Sequence, residues 1–134
     1  MAGMTDLELA IQLAVEAHAG QTDKNGEPYI LHPLRVMLAV AAPCRIAAVL
    51  HDVVEDGDFG LGDILALFGE ETRGAVDALT RRGGESYEDF IVRCKANHIA
   101  RHVKSADIRD NLRPGAPHLR DRYEAALMVL TEDD

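Results

Sequence analysis

The sequence predicts an all-α fold in a single domain, and three observations lead to this conclusion. Apolar residues recur at steps of three and four along most of the chain, which is the period of an amphipathic helix. Glycine and proline interrupt this pattern at intervals that suit helices of ordinary length. No segment alternates between polar and apolar residues for long enough to predict a strand. Because 134 residues suffice for one hydrophobic core, we expect a single domain over residues 1–134.

The first predicted helix begins at a capping box and is followed by a long loop. Thr5 and Glu8 have the capping-box spacing, and the apolar positions after them repeat with a helical period. We expect this helix to stop at Gly20. The segment 21–31 predicts a loop, because it is polar and is broken by glycine and proline. Compact domains keep loops of this length mostly where the loop serves a function.

The remaining elements are also predicted to be helices. The second is expected from His32 to the region of Pro43, since a proline at the second position suits a first helical turn. The third is expected over about 45–54, where apolar residues are almost continuous, and it should be the buried central helix. A loop over 55–60 and helices at about 62–68, 70–82, 86–96 and 97–112 follow. A last helix, about 117–131, is expected to bury Leu119, Tyr123, Ala126, Leu127 and Leu130.

The composition argues against several classes of protein. The chain has 23 acidic side chains and 14 lysines and arginines, and this net charge of −9 is opposite to that of a nucleic-acid-binding surface. No apolar run approaches the about 20 residues of a membrane span, and the acidic N-terminus does not resemble a signal peptide. The two cysteines lack the CxxC spacing of a zinc knuckle. We therefore expect a cytoplasmic protein that binds neither nucleic acid nor membrane.

His51 and Asp52 are the most informative pair in the sequence. They follow the most apolar stretch of the chain, where an uncompensated charge costs several kcal/mol. A divalent transition metal would compensate it, because imidazole nitrogen and carboxylate oxygen both ligate such ions. Glu55 and Asp56 come four residues later, so that on a continuous helix the four side chains form adjacent rows. A solvated last turn with one core histidine is the alternative interpretation.

Two further polar residues lie among apolar neighbours. His32 ends the polar loop, and Asp107 lies on an apolar helical row with Asn111 one turn later. Taken alone, His32 is better explained as a helix-capping or core histidine than as a ligand. Together with His51 and Asp52, these residues predict a metal site of two histidines and two aspartates with open positions for water and substrate.

The spacing of these motifs resembles that of a known family. The motifs are AHAGQ at 17–21, GEPYILHP at 26–33, LHDVVED at 50–56 and VKSAD at 103–107. This pattern resembles the hydrolase domain of the RelA/SpoT family of HD-domain phosphohydrolases, and within it the stand-alone Mesh1-like small alarmone hydrolases. The resemblance covers about residues 8–130. The combination of histidine, HDxxED and aspartate is specific, whereas each piece alone is weak.

The resemblance implies an activity and a role for each motif residue. It implies one Mn²⁺ ion, or another divalent transition metal, held by His32, His51, Asp52 and Asp107. It implies that Glu55 and Asp56 position and activate the attacking water. The implied reaction is that of a guanosine-3′,5′-bis(diphosphate) 3′-pyrophosphohydrolase, which removes pyrophosphate from (p)ppGpp, a small-molecule nucleotide, and leaves GDP or GTP.

The resemblance also implies a set of residues near the substrate, with departures that leave the substrate open. The set is Lys24, Tyr29, Lys104 and Asn111, and His18 is either a support of the site or a core residue. In the family an arginine that contacts guanine precedes the lysine, and here that position is Asp23. Ile108 and Asp110 stand where the family has arginine and histidine. Two alternatives therefore remain: an HD-domain hydrolase of another nucleotide or phosphoester, and an HD domain that binds a nucleotide without turnover.

Overall fold

The computed structural model describes residues 3–56, 58–113 and 119–132, except for the side chain of Asp56. In these ranges the regular structure is helical, and an isolated bridge between Thr22 and Pro28 is the one β-type pairing. The prediction of an all-α fold is confirmed. The helices are α1 (Asp6–His18), α2 (Leu31–Ala39), α3 (Arg45–Leu50), α4 (Val53–Asp56), α5 (Leu61–Phe68), α6 (Glu70–Leu79), α7 (Tyr87–Lys95), α8 (His98–Asn111) and α9 (Arg120–Thr131).

Side chains cap several helices at the positions that the sequence indicates. The backbone N–H of Glu8 donates to the Thr5 hydroxyl at 3.2 Å, and the Glu8 carboxylate accepts from the Thr5 N–H at 2.9 Å, so the capping box is present. Ser86 caps α7 and Asn97 caps α8 in the same manner. Gly69 joins α5 to α6 with a φ of +93°, a conformation that favours glycine.

The expected helix over 45–54 is divided, and this corrects the sequence interpretation. α3 ends at Leu50, and His51 and Asp52 form a turn before α4 begins. The turn is tight because both the backbone N–H and the imidazole of His51 reach the Ala48 carbonyl, at 3.4 and 2.6 Å. The four polar side chains from His51 onwards therefore do not lie on one continuous helix.

Other predicted bounds shift by a few residues for local reasons. α2 ends at Ala39 and not near Pro43, because Val40 is extended and Pro43 lies in a 3₁₀ turn, Ala42–Cys44. α6 ends at Leu79 and not at 82, because Thr80 is extended. The predicted start of the last helix at 117 lies outside the described residues.

The core lies between α3 and α8. α3 buries Ala47, Ala48, Val49 and Leu50, as expected of the predicted central helix. α8 is equally central, because it packs against α2, α3, α6, α7 and α9. Ala126 and Leu130 of α9 are buried, whereas Leu119, Tyr123 and Leu127 are only partly so. Among the described helices, none has the length and apolar character of a membrane span.

The packing of α9 predicts that alanine substitutions at two positions two residues apart will change the free energy of unfolding by very different amounts. Leu130 is 2% exposed and Met128 is 73% exposed. Leu130→Ala should lower the free energy of unfolding by about 2–5 kcal/mol, since it removes buried methyl groups and leaves a cavity. Met128→Ala, the matched control, should change it by less than about 0.5 kcal/mol. Urea unfolding measures both, and equal midpoints for the two variants would contradict the packing of α9 described above.

Candidate metal centre

Three separate segments bring the predicted ligands to one place. α2 contributes His32, the turn between α3 and α4 contributes His51, and α8 contributes Asp107. One ligand atom from each lies within 4.8 Å of the other two, and all three side chains are buried. His32 Nε2 is 2.8 Å and His51 Nε2 is 3.3 Å from the same atom, Asp107 Oδ1. The structure thus brings together three of the four side chains predicted to bind a metal.

His51 is oriented toward this centre by the backbone. Its Nδ1 lies 2.6 Å from the Ala48 carbonyl oxygen, so the neutral ring carries its proton on Nδ1 and has its lone pair on Nε2. Nε2 lies 3.0 Å from Asp52 Oδ2 and 3.3 Å from Asp107 Oδ1. This buried nitrogen makes no well-aligned hydrogen bond with any residue that the structure describes. A lone pair that faces two carboxylates fits a bound cation.

Asp52, the fourth predicted ligand, connects the centre to the long loop. Its Oδ2 accepts a hydrogen bond of 2.5 Å from the Tyr29 hydroxyl, in addition to its contact with His51. The Tyr29 ring packs edge-on against His18, with ring centroids 5.0 Å apart. His18 Nδ1 lies 3.3 Å from the Gln21 side-chain oxygen. His18 is buried and packs against Tyr29, whose hydroxyl donates to Asp52.

The charges of the centre are coupled through burial. Burial disfavours the charged form of Asp107, but Lys104 and His51 outweigh it and hold the pKa of Asp107 well below its usual value. The same balance between burial and His51 lowers the pKa of Asp52 to about 2. Burial disfavours a charge on His51, yet Asp52 and Asp107 raise the pKa of His51 well above its usual value. The centre therefore keeps two carboxylates ionised and favours a positive charge among them, either on the His51 ring or on a metal ion bound in place of its proton.

Lys104 lies against Asp107. Its Nζ donates to Asp107 Oδ2 at 2.8 Å and lies 5.1 Å from the centre of the Phe90 ring. The two oxygens of Asp107 are thus divided, with Oδ2 on the lysine and Oδ1 on the histidines. Burial disfavours the charged lysine, but the Asp107 carboxylate outweighs it and raises the pKa of Lys104.

A cleft of about 520 Å³ opens beside His32. Three of the four predicted substrate-binding residues line it, namely Lys24, Tyr29 and Asn111, whereas Lys104 does not. The volume is in the range of small-molecule sites. A larger groove of about 630 Å³ lies between α8, α9 and segment 39–44, and it contains no predicted site residue. Volume alone would therefore have indicated a groove that contains none of the predicted site residues.

Asp23 shapes the loop that forms one wall of the cleft. Its carboxylate Oδ1 accepts from the backbone N–H groups of Asn25 and Glu27, at 2.8 and 3.0 Å. The Asp23 N–H also donates to the Glu27 carbonyl at 2.8 Å. The residue at the position of the family arginine is therefore the one that closes the loop tip. The turn-forming run from Asp23 to Gly26 is a signal that would have predicted this.

Two residues of the site were not predicted from sequence. Asp110 Oδ2 lies 2.6 Å from His32 Nδ1, on the side of the ring opposite to Asp107. Arg35 donates to both oxygens of Asp110, at 2.7 and 3.1 Å. In the sequence, Asp110 stands out only as a departure from a family motif. The helical spacing of three residues from Asp107 to Asp110, and from His32 to Arg35, is the signal that could have found them.

The two predicted catalytic carboxylates are only partly described. Glu55 lies on α4, is exposed, and accepts a hydrogen bond of 3.1 Å from the Arg81 backbone N–H. Asp56 ends α4, and its side chain lies outside the described part of the structure. Their predicted role in activating water stays a prediction.

Comparison with known proteins identifies the domain and its relatives. A family model described as HD domain matches residues 10–112. The guanosine-3′,5′-bis(diphosphate) 3′-pyrophosphohydrolase of Aquifex aeolicus is 33% identical over 121 residues, which cover 81% of this chain and 17% of that protein. The GTP pyrophosphokinase of Streptomyces coelicolor is 35% identical over 135 residues, covering 90% and 16%. The chain thus spans about a sixth of the length of these two curated relatives.

The fold is similar to that of a solved structure over nearly the whole chain. That structure is described as a metazoan ortholog of SpoT that hydrolyzes ppGpp and plays a role in starvation responses. The TM-score is 0.73 at 25% sequence identity, and the match covers 97% of this chain and 85% of the other. The matched family model includes every residue of the metal centre. The chain therefore belongs to the HD-domain family.

Proposed function

We propose that this chain is a metal-dependent phosphohydrolase that removes pyrophosphate from the 3′ position of (p)ppGpp. The observation that carries the proposal is the meeting of His32, His51 and Asp107, with Asp52 beside them, next to a cleft of nucleotide size. Relatives named as 3′-pyrophosphohydrolases support the substrate, as does the metazoan SpoT ortholog with a similar fold. The relatives named as pyrophosphokinases match over a similarly small part of their length, 16% against 17%, so hydrolysis is proposed on the predicted metal ligands and on the metazoan ortholog.

The metal proposed for this centre is Mn²⁺, with other divalent transition metals as substitutes. Its ligands are proposed to be His32, His51, Asp52 and Asp107, a set of nitrogen and oxygen donors that suits such ions. When bound, the ion would stabilise charge on the phosphoryl oxygens and make the attacking water more acidic. Tyr29 and Lys104 each donate to one carboxylate of the set, so both carboxylates are held in place before the metal arrives.

The chain's own residues perform the remaining steps of the proposed reaction. Glu55 and Asp56 orient the water and take its proton as it attacks the phosphorus attached to the 3′ oxygen. The bond from that phosphorus to the 3′ oxygen breaks, pyrophosphate is released, and the 3′ oxygen takes up a proton. Lys24 offers a point charge to a phosphate, and Asn111 offers its amide to the sugar.

A second candidate keeps this chemistry and changes the substrate to another nucleotide or phosphoester. The observation in its favour is Asp23, which places a carboxylate on the cleft wall where the family has an arginine for guanine. The charge of Asp23 also opposes a polyphosphate ligand. The substrate experiment below distinguishes the two candidates.

The metal site predicts a metal-dependent gain in stability. A divalent ion at a hundredfold excess over its Kd should stabilise the folded protein by about 2.7 kcal/mol, visible as a rise in Tm. His51→Ala and Asp107→Asn should abolish the rise. His102→Ala removes an exposed histidine outside the centre and serves as the matched control. Loss of the rise in the control, or its retention in both site variants, would contradict the ligand assignment.

The catalytic carboxylates predict a separation of turnover from metal binding. Glu55→Gln keeps an oxygen that can accept from the Arg81 N–H but cannot take a proton at neutral pH, and Asp56→Asn makes the same change one residue later. Each should lower kcat by about 10²–10⁴-fold while the metal-dependent rise in Tm stays. If a variant loses the metal-dependent rise in Tm, the substituted residue is a metal ligand. If a variant keeps the wild-type kcat, the substituted residue has no role in the reaction.

The loop predicts how Asp23 affects substrate choice. Asp23→Asn keeps the oxygen that accepts from the Asn25 and Glu27 N–H groups and removes the negative charge from the cleft. It should lower KM for ppGpp about fivefold, the effect of roughly 1 kcal/mol, with little change in kcat. Asp23→Arg restores the guanidinium but loses both hydrogen bonds, at about 1 kcal/mol of stability each.

The measurement is steady-state hydrolysis of ppGpp and of a panel of nucleotides in the presence of Mn²⁺. Turnover of ppGpp by the wild type supports the first candidate. If the wild type hydrolyses another nucleotide but not ppGpp, the second candidate replaces the first. Metal binding and nucleotide binding without any turnover would instead support an HD domain that only binds its ligand.

A further inference from the structure

His32 is held between two carboxylates from the same helix. Its Nε2 faces Asp107 Oδ1 at 2.8 Å and its Nδ1 faces Asp110 Oδ2 at 2.6 Å. Asp110 accepts two further hydrogen bonds from the Arg35 guanidinium, at 2.7 and 3.1 Å. The contacts therefore form a continuous chain from Arg35 through Asp110 to His32 and the metal centre.

These side-chain contacts join two helices that pack against each other. His32 and Arg35 are one turn apart on α2, and Asp107 and Asp110 are one turn apart on α8. The histidine and the arginine thus meet neighbouring carboxylates across the same helix interface. A fork of two hydrogen bonds from Arg35 fixes the plane of the Asp110 carboxylate, which one contact would leave free to rotate.

The acceptor at Nδ1 favours the form of His32 that can bind a metal. Each ring nitrogen faces a carboxylate, but a neutral imidazole has only one N–H. When Nε2 binds an ion, that proton must lie on Nδ1, where Asp110 accepts it. Only a nitrogen with a lone pair can bind a metal ion, and a carboxylate behind the ring also makes the ligand more basic. Asp110 itself lies on the wrong side of the ring to be a ligand of the same ion as Nε2.

We infer that Asp110 and Arg35 are positioning residues that hold His32 in its metal-ligating orientation. The inference rests on the metal centre of the proposed function. It also gives a role to a position at which the sequence departs from the family motif. Asp110 acts on the metal only through His32, and Arg35 acts only through Asp110.

The first test measures metal affinity without any substrate. The full chain is titrated with Mn²⁺ alone in competition with a chelator. Asp110→Ala should weaken binding about 10–100-fold, Arg35→Ala should also weaken it, and Arg35→Lys should recover part of the loss. Asp77→Asn is the matched control, because Asp77 is likewise paired with an arginine, Arg82 at 3.0 Å, but lies on α6 away from the centre. The control should bind within twofold of wild type.

The second test is a double-mutant cycle that a purely structural role would not satisfy. If Asp110 acts through His32, adding Asp110→Ala to His32→Ala should weaken metal binding no further. If the losses of Mn²⁺ affinity from the two substitutions add in the double variant, the inference is overturned. It is also overturned if Asp110→Ala and Arg35→Ala both bind Mn²⁺ within twofold of wild type. Arg35 is partly exposed, so we expect Arg35→Lys to fold. Its metal affinity therefore tests the contacts from Arg35 through Asp110 to His32 even if Asp110→Ala does not fold.

Failure of the inference and failure of the proposed function give different results. If wild type binds Mn²⁺, His32→Ala binds it measurably more weakly and Asp110→Ala binds it as wild type does, the metal centre stands and only the positioning role is wrong. If wild type and His32→Ala bind equally, or neither binds, the assignment of the centre is wrong and the inference falls with it.

Discussion

The buried carboxylate of Asp107 is the constraint around which the centre of this protein is organised. An ionised aspartate that is 4% exposed is unfavourable unless its charge is compensated. Here Lys104 donates to one of its oxygens, and the other faces the two histidines at the position of the proposed cation. Compensating this charge requires α2, α8 and the turn after α3 to meet within a few ångströms. Since α8 also packs against α6, α7 and α9, the charge balance of the centre and the packing of the core depend on the same helix.

Most helices could be predicted from the sequence because their cause is local. Apolar period, capping residues and glycine punctuation lie within each segment, and the structure confirms the all-α class and most of the elements to within a few residues. The break at His51 and Asp52 could not be predicted in this way. It depends on a side chain that bonds back to the Ala48 carbonyl, which the apolar pattern of the segment does not report.

The site could be predicted only as far as residue type and motif indicate it. A polar residue among apolar neighbours indicates a site, because burying a polar group is unfavourable without a partner. This pattern predicts His32, His51 and Asp107. The contact of Lys104 with Asp107 depends on the direction of a long side chain, and the chain through Arg35 and Asp110 depends on which faces of α2 and α8 meet. The comparison with the family motif describes Asp23 only as the absence of an arginine, whereas in the structure its carboxylate holds the loop together.

The hydrogen bond from Tyr29 to Asp52 has a consequence for how such a domain can change its specificity. Tyr29 belongs to the same loop as Asp23 and Lys24, so the segment that lines the cleft also holds Asp52, a predicted metal ligand. A substitution that moves this loop also moves the Tyr29 hydroxyl, so it alters the surroundings of Asp52 together with the wall of the cleft. Under the proposed function, ligand choice and metal affinity would therefore be coupled through one hydrogen bond. The loop can change its ligand-facing side chains without changing the metal affinity only while the tyrosine hydroxyl still reaches the Asp52 carboxylate.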